Sequence, residues 1–277
     1  MDSEMKPLRG KVPFKVFDTE DDTLTIALSV KDSEFPDRFE WARDNGFALE
    51  YTPDPLSPEK ILEHVLPYAS KGVPVRYHTR FFDFDLGNAD SGRAEEALHV
   101  HMAVLDAMEG LGEPVLTVHL NLNGRIPFDP GIAVRNLTVL VRYARKKGIT
   151  VNLENLRRGP SSNPKSISEW AAEAGSMITM DMGHAVSSDY VKNGTMTVPA
   201  IVDLFSPMLN EVHMYGKEED RHYPIEDITV LREAIDHLTT TGCRWWTIEL
   251  DDYSEALATR GLLLEYLIKR KERKTQY

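Results

Sequence analysis

A carboxylate and an imidazole stand three residues apart in the stretch SMITMDMGHA, residues 176–185. Residues 177–180 form an apolar run typical of a buried strand, and the run ends at Asp181, followed by Gly183 and His184. Two such side chains at the mouth of one strand can bind a metal ion together, because carboxylate oxygens and imidazole nitrogens are both common metal ligands. A strand that ends at an Asp turn beside an unrelated His would give the same pattern, so this stretch alone leaves the chemistry open.

Five further apolar runs end on a side chain that can bind a metal. These side chains are His78, His119, Glu154, His213 and Glu249, and the loop after residue 213 adds Asp220 and His222. A mixture of imidazoles and carboxylates suits Zn²⁺, Mn²⁺, Co²⁺ or Fe²⁺ better than Ca²⁺. Together with residues 181 and 184, the set holds four carboxylates and five imidazoles, more than one ion requires. It therefore predicts two or three ions, or one ion with imidazoles left for acid–base work.

Parallel strands would bring these side chains to one face. Apolar runs alternate with amphipathic segments along the chain, and this alternation predicts eight strands and eight helices. The predicted strands are 23–30, 47–51, 73–77, 114–118, 149–153, 177–180, 210–213 and 244–248, and the predicted helices are 34–45, 57–70, 93–109, 132–147, 167–174, 198–205, 228–239 and 254–271. This succession predicts an α/β fold, a single-domain (β/α)8 TIM barrel whose strand ends open onto one face. The alternative is a doubly wound open sheet, which requires a Gly-rich turn after the first strand, and residues 29–36 have none.

Length and composition limit the class of protein. The 277 residues divide into a polar N-terminal extension, 1–22, and a barrel domain, 23–277. The one cysteine, Cys243, excludes an internal disulfide and a Cys-based zinc site. The absence of an apolar N-terminal signal and of a run long enough to cross a bilayer predicts a cytoplasmic protein with no membrane partner. The net charge of −12 weighs against nucleic acid as a partner, because phosphate backbones attract basic surfaces.

Three arginines follow predicted strand ends and could bind a substrate. Arg80 follows the third strand, and Arg157 and Arg158 follow the fifth. A guanidinium pairs well with a phosphate or carboxylate group, so these residues are candidate substrate-binding groups. Solvated loop arginines would give the same pattern.

Four short motifs resemble the xylose isomerase-like TIM-barrel superfamily, which includes sugar isomerases, sugar epimerases and endonuclease IV. The motifs are VNLEN, MDMGHA, VHMYG and TIELD, and the resemblance extends from about residue 23 to 265. The resemblance to the ketose 3-epimerases implies one Mn²⁺ or Co²⁺ bound by Glu154, Asp181, His213 and Glu249. It also implies that residues 154 and 249 are the acid–base pair, and that His184 holds the substrate.

The resemblance to endonuclease IV implies three zinc ions instead. The implied zinc ligands are His78, His119, Glu154, Asp181, His184, His213, Asp220, His222 and Glu249, with the triplet DRH at 220–222 especially similar. Two motifs depart from that enzyme: HLNLNG stands where it has HPG, and residues 223–227 stand where it has GEG. These departures and the acidic charge weaken the DNA-repair assignment.

The sequence therefore predicts a divalent-metal-dependent isomerase or epimerase that acts on a small sugar or related polyhydroxy carbonyl compound. The expected cofactor is one to three ions of Zn, Mn or Co, and the expected partner is a small-molecule substrate. Self-association into a homo-oligomer stays open. An endonuclease IV-like multi-zinc phosphodiesterase is the alternative, and a metal-binding sensor without catalysis is a third hypothesis.

Overall fold

Eight parallel strands close into a barrel in the computed structural model, which describes residues 24–275. The strands, in chain order, are β1 (Thr25–Lys31), β2 (Ala48–Thr52), β3 (Val75–Thr79), β4 (Val115–Val118), β5 (Thr150–Glu154), β6 (Met177–Asp181), β7 (Leu209–Met214), the short β8 (Lys217–Glu218) and β9 (His222–Tyr223), and β10 (Trp245–Ile248). Strands β1–β7 follow one another around the barrel, and β10 closes it by pairing with both β7 and β1. The predicted single TIM-barrel domain is confirmed, and the predicted extension 1–22 lies outside the described residues.

Ten α-helices accompany these strands in the described part of the chain. They are α1 (Asp37–Asp44), α2 (Lys60–Ala69), α3 (Ser91–Met108), α4 (Pro130–Arg145), α5 (Pro164–Ala174), α6 (Met182–Ser187), α7 (Asp189–Lys192), α8 (Val198–Phe205), α9 (Arg232–Leu238) and α10 (Tyr253–Thr275). Local chemistry sets several of their ends: the Asp129 carboxylate accepts the Ile132 N–H at the start of α4, and Gly175 ends α5 with a left-handed φ of 72°. Within residues 24–275, no helix has the length and apolar character needed to cross a membrane.

Four of these elements were missing from the sequence prediction. The short helices α6 and α7 follow β6, where only a loop was expected, and β8 pairs antiparallel with β9 in the loop after β7. Each is only two to six residues long, too short to leave a periodic pattern in the sequence. All four lie at the carboxyl end of the barrel, where they shape its mouth.

Below the mouth, the barrel interior contains a layer of polar side chains, here called the floor, that hydrogen-bond to one another. The hydroxyls of Thr117 and Thr179 lie 2.8 Å apart, and the Asn152 amide donates to Thr179 at 3.0 Å. Below them, Arg76 lies 3.2 Å from one Glu211 oxygen, and Thr247 donates to the other at 2.7 Å. Burial, together with the negative charge of Glu50, raises the pKa of Glu211 to about 7. The floor is thus a hydrogen-bonded layer beneath the mouth.

Candidate metal centre at the barrel mouth

Four side chains from four strands converge at the centre of the mouth. Glu154 ends β5, Asp181 ends β6, His213 lies in β7, and Glu249 directly follows β10. One ligand atom from each lies within 4.8 Å of the other three. His213 Nδ1 is 3.3 Å from Glu154 Oε1 and 3.7 Å from Glu249 Oε1. The pairing of β6 with β7 sets residues 181 and 213 side by side, so the strand register itself builds the group.

A second group shares the Glu154 carboxylate. His78 Nε2 lies 3.1 Å from Glu154 Oε2, and His119 Nε2 lies 3.4 Å from the same oxygen. The two Nε2 atoms are 2.7 Å apart. Because His78 lies in β3 and His119 directly follows β4, the structure brings these two predicted side chains to the central group as expected.

A third group lies at the rim, and its carboxylate is not the predicted one. His184 Nε2 faces Glu218 Oε2 at 3.3 Å, and His222 completes the group. The Nδ1 atoms of the two histidines contact backbone oxygens, those of Asn155 and Glu249, at 2.9 Å each. Both Nε2 atoms are therefore left for a ligand.

The structure does not bring Asp220 into this group. Its side chain is exposed and accepts the Tyr223 hydroxyl at 2.8 Å. The hairpin of β8 and β9 explains the difference, because the turn between its strands carries residue 220 outward while Glu218 in β8 faces His184. Only the tertiary structure reveals the hairpin, so the sequence motif DRH anticipated His222 of this group but not Glu218.

Sequence reasoning also missed Glu50, which lies in β2. It is fully buried, and its Oε1 lies 2.9 Å from His213 Nε2 while its Oε2 lies 3.5 Å from His78 Nδ1. With Glu249, these three residues form a further group of close metal-binding atoms. The signal in the sequence was a charged residue inside the apolar run FALEY, because a buried carboxylate in a strand requires partners.

The donor set at the mouth fits a divalent cation. Within the described residues, several fully buried atoms there have no hydrogen-bond partner: both Glu154 oxygens, Glu249 Oε1, Glu50 Oε2, and the Nδ1 atoms of His78, His119 and His213. Ligands at ~2.0–2.1 Å from a tetrahedral Zn²⁺ lie about 3.3–3.4 Å from one another. Most of the contacts above, at 3.1 Å, 3.3 Å and 3.4 Å, are close to that spacing.

The charges at the mouth compensate one another. Burial acts against ionisation of Glu154 and Glu249, but the adjoining imidazoles, and Arg80 for Glu249, hold both pKa values well below the usual range. Burial likewise opposes the charging of His78 and His213, yet the carboxylates around them raise both pKa values well above normal. A cation that binds here would displace the imidazole protons and take over their role.

Asp181 is held in place more firmly than its neighbours. Its carboxylate accepts the His184 N–H at 2.6 Å and the Tyr215 hydroxyl at 2.9 Å, while the Asn155 amide bonds its backbone. Burial raises its pKa to about 7. The following Gly183 is required by space, because a Cβ there would come within 2.0 Å of the Tyr215 ring. The motif MDMGHA thus encodes an orientation of residue 181 as well as two candidate ligands.

A cavity of about 300 Å³ opens above these groups, with space for a small molecule. The three predicted arginines line it in different ways. Arg80 lies 3.8 Å from Glu249 Oε1, Arg157 is paired with Glu218 at 3.1 Å, and Arg158 is exposed at the rim. The cavity is also lined by Phe82 and by Asn121, which has a left-handed φ of 59°. Because Arg157 also donates to two backbone oxygens, its role is to fix the hairpin.

The chain belongs to the xylose isomerase-like TIM-barrel family, whose model matches residues 39–269. The resemblance found in the short motifs is thereby confirmed. The chain is also 29% identical over 214 residues to the uncharacterised protein MJ0008 of Methanocaldococcus jannaschii, a match that covers 75% of this chain and 89% of the relative.

Two solved structures illustrate the range of proteins that share this fold. A D-tagatose 3-epimerase-like protein superposes with a TM-score of 0.72 at 18% identity, covering 90% of this chain and 98% of that one. Endonuclease IV from Thermus thermophilus superposes with a TM-score of 0.66 at 17% identity, covering 88% and 99%. At these identities the likeness concerns the fold, and the reaction has to be argued from the site.

Proposed function

We propose that the protein is a divalent-metal-dependent isomerase or epimerase that acts on a small sugar or a related polyhydroxy carbonyl compound. The observation that carries the proposal is the group of Glu154, Asp181, His213 and Glu249, gathered within 4.8 Å at the foot of a cavity sized for a small molecule. The fold is shared with a D-tagatose 3-epimerase-like protein and is compatible with this reaction class.

The residues of the central group would hold the principal ion. Bound there, a divalent cation would supply positive charge to neighbouring carbonyl and hydroxyl oxygens of the substrate. The His78–His119–Glu154 group and the His184–Glu218–His222 group would hold further ions, so the proposed number is one to three. Zinc, manganese and cobalt all accept this mixture of nitrogen and oxygen ligands.

Proton transfer is assigned to the two glutamates. Glu154 and Glu249 come from strands β5 and β10, and their ligand atoms lie within 4.8 Å of each other. Their lowered pKa values keep both carboxylates ionised at neutral pH and able to accept a proton from carbon. In an epimerisation, one glutamate, ionised, would accept the proton from carbon and become the acid. The other would first take a proton from solvent and would deliver it to the opposite face of that carbon, which inverts the configuration, and exchange with solvent would then reset both groups.

Substrate binding is assigned to the upper part of the cavity. His184 lies between the central group and the rim, where its imidazole can hold a substrate hydroxyl. Arg80 and Arg158 are the arginines that could bind an anionic group of the substrate, with Arg158 at the exposed edge. Arg157, by contrast, is already engaged by Glu218 and contributes at most one edge of its guanidinium.

The test is proton exchange catalysed by the metal-loaded protein. Purified protein is loaded with Mn²⁺, Co²⁺ or Zn²⁺ and incubated with a panel of ketoses and aldoses in deuterated water. We expect metal-dependent incorporation of deuterium at a carbon beside the carbonyl, together with appearance of the isomer or epimer. Both are monitored by NMR. Absence of exchange with every sugar and every metal would contradict the proposal.

A zinc-dependent phosphodiesterase of the endonuclease IV type is the second candidate. It is favoured by the His78–His119–Glu154 group, because an epimerase with one ion does not need it. The net charge of −12 opposes it, because duplex binding requires a basic surface. We expect little or no binding of an abasic-site duplex at physiological salt. Nanomolar binding that weakens steeply as salt rises would favour the repair enzyme over the isomerase.

A further inference from the structure

Glu50 occupies an unusual place beneath the metal centre. Its carboxylate is fully buried in the barrel interior, and its two oxygens face different histidines. Oε1 lies 2.9 Å from His213 Nε2, and Oε2 lies 3.5 Å from His78 Nδ1. Both imidazoles therefore have one nitrogen directed at Glu50 and the other directed toward Glu154.

The contact with His213 determines where that imidazole carries its proton. A carboxylate can only accept a hydrogen bond, so the 2.9 Å separation places a hydrogen on His213 Nε2. When a cation displaces the second imidazole proton, the nitrogen that is freed is Nδ1, which faces Glu154 Oε1 at 3.3 Å and Glu249 Oε1 at 3.7 Å. If the hydrogen were on Nδ1 alone, the Nε2 lone pair would lie against the carboxylate of Glu50, which is repulsive.

The surroundings of His78 also favour one tautomer, but there the hydrogen is placed on Nδ1 instead of Nε2. Two carboxylate oxygens, Glu50 Oε2 and Glu249 Oε1, both lie 3.5 Å from His78 Nδ1. They favour a hydrogen on that nitrogen, which leaves Nε2 to face Glu154 Oε2 at 3.1 Å. His78 Nε2 also lies 2.7 Å from His119 Nε2. Glu50 thus biases two imidazoles so that, once a cation has displaced a proton from each, the freed nitrogen is the one that faces Glu154.

We infer that Glu50 is a positioning residue that fixes the tautomer and ring orientation of His213 through a hydrogen bond, and biases the tautomer of His78 through its charge, for metal binding. A histidine ligand commonly donates its second ring N–H to a carboxylate, and removal of such a partner typically weakens metal binding 10–100-fold. The 2.9 Å contact is a hydrogen-bond distance, shorter than the spacing of about 3.3 Å expected between two ligands of one zinc ion. Glu50 therefore acts through the histidines and does not bind the ion itself.

The inference rests on the metal-binding part of the proposed function, and its test uses no substrate. Zn²⁺ affinity is measured by competition with a coloured chelator for the wild-type protein and for Glu50→Gln, which keeps the size but removes the charge. We expect roughly 10–100-fold weaker binding in this variant. Glu211→Gln is the matched control, because Glu211 is equally buried and bonds Arg76 and Thr247, while its nearest oxygen lies 3.9 Å from His213 Nε2, beyond hydrogen-bond distance. We expect its Zn²⁺ affinity to equal that of the wild type.

The imidazole tautomers provide the readout that a purely structural role would not change. In ¹⁵N NMR spectra of the zinc-loaded wild type, we expect a hydrogen on Nε2 of His213 and on Nδ1 of His78. In Glu50→Gln, the His213 signal should show a mixture of tautomers or the opposite one. If this variant does not fold, the wild-type spectrum alone decides, because the opposite tautomer at His213 would overturn the inference.

Two further outcomes would also overturn it. Unchanged zinc affinity and unchanged tautomers in Glu50→Gln would show that the contact has no positioning role. Loss of one whole ion per chain with the tautomers preserved would make Glu50 a ligand. Because none of these measurements involves turnover, failure of the isomerase assay would leave the inference standing, and failure of the inference would leave the isomerase assay interpretable.

Discussion

Glu154 and Glu211 are buried carboxylates in one barrel interior, yet their surroundings differ. Glu211, in the floor, has a partner on each oxygen, Thr247 at 2.7 Å and Arg76 at 3.2 Å. Glu154, in the mouth, has no hydrogen-bond partner on either oxygen within residues 24–275, although several imidazole nitrogens lie close to it. In the metal-free protein those imidazoles carry the compensating charge, and a bound cation would take over that role. Glu211 is therefore satisfied by neighbouring side chains of the floor, whereas both oxygens of Glu154 are left open to a cation.

This difference separates structural from functional polarity inside the barrel. The floor layer holds the strands in register through side-chain hydrogen bonds, as between Thr117 and Thr179 at 2.8 Å. In the mouth, several carboxylates lie close together, and several buried oxygen and nitrogen atoms have no hydrogen-bond partner. Such an arrangement is typical of a binding site rather than of a structural layer. Substitutions in the two layers should therefore affect different measurements.

The largest expected effect is on proton transfer at Glu249. Glu249→Gln keeps the size and an acceptor oxygen but removes the basic site beside His213. If Glu249 is an acid–base residue, exchange of the substrate C–H with solvent should fall by ~10²–10⁴-fold at saturating metal. The measurement is deuterium incorporation followed by NMR. Exchange at the wild-type rate would remove Glu249 from the acid–base pair, and Glu211→Gln should leave the rate unchanged.

The second effect is on stability in the presence of metal. A ligand that binds only the folded state adds about 2.7 kcal/mol to the free energy of unfolding at 100 times its Kd. We expect Zn²⁺ to stabilise the wild type and Glu211→Gln by similar amounts in urea titrations. Asp181→Asn should lose most of this gain, because it removes charge from the central group while its contacts with Tyr215 and the His184 backbone can remain. Equal stabilisation of all three proteins would place the ion elsewhere.

The third effect concerns the space behind the central group. An alanine Cβ at Gly183 would meet the Tyr215 ring at 2.0 Å, so the ring that bonds Asp181 would have to move. We expect Gly183→Ala to cost ~1–3 kcal/mol in the free energy of unfolding and to weaken zinc binding. The control is Gly261→Ala, in helix α10, where a Cβ meets nothing within 4 Å. There the substitution should leave zinc binding unchanged and, because alanine favours helix, not reduce stability.

The smallest effect is the pH dependence of stability in the metal-free protein. Burial opposes protonation of His184, but Asp181 and Glu218 raise its pKa to about 9. Its stabilising contribution is therefore present below its unfolded value of about 6.5 and lost as pH rises toward 9. His101, buried without a carboxylate partner, has its pKa lowered to about 4, so its contribution is present above 6.5 and lost as pH falls toward 4.

Urea titrations from pH 4 to 9 on chelator-treated protein check both signs. His184→Gln should flatten the loss of stability on the alkaline side, and His101→Leu should flatten the loss on the acidic side. A wild-type profile that is flat from pH 6.5 to 9 would contradict the assignment of His184. Addition of Zn²⁺ should suppress the alkaline loss, because a bound ion replaces the protons.

Most of the barrel was predictable from local pattern. Buried parallel strands appear as short apolar runs, and each run here ends at a polar or charged residue. The positions of Glu154, Asp181, His213 and Glu249 at strand ends followed directly, since in a barrel these ends share one face. Their roles as ligands and bases remain predictions, because position alone does not give chemistry.

The short elements at the mouth were not predictable in this way. The hairpin of β8 and β9 has two residues in each strand, so its sequence carries no periodic signal. Its geometry nevertheless decides that Glu218 faces His184 while Asp220 lies exposed. It also decides that Arg157 pairs with Glu218, which leaves Arg80 and Arg158 as the arginines available to a substrate.

The sequence by itself determined the eight strands, the barrel and the strand-end carboxylates and imidazoles, because each depends on neighbouring residues and on a short repeat. Only the tertiary structure decided the partners of those side chains. Glu50 and His213 are 163 residues apart, and whether a mid-strand glutamate points into the barrel or toward the helices depends on how the sheet closes. Closure brings β2 and β7 across the interior from each other, and that long-range contact places a charged residue from an apolar run against a candidate metal-binding histidine.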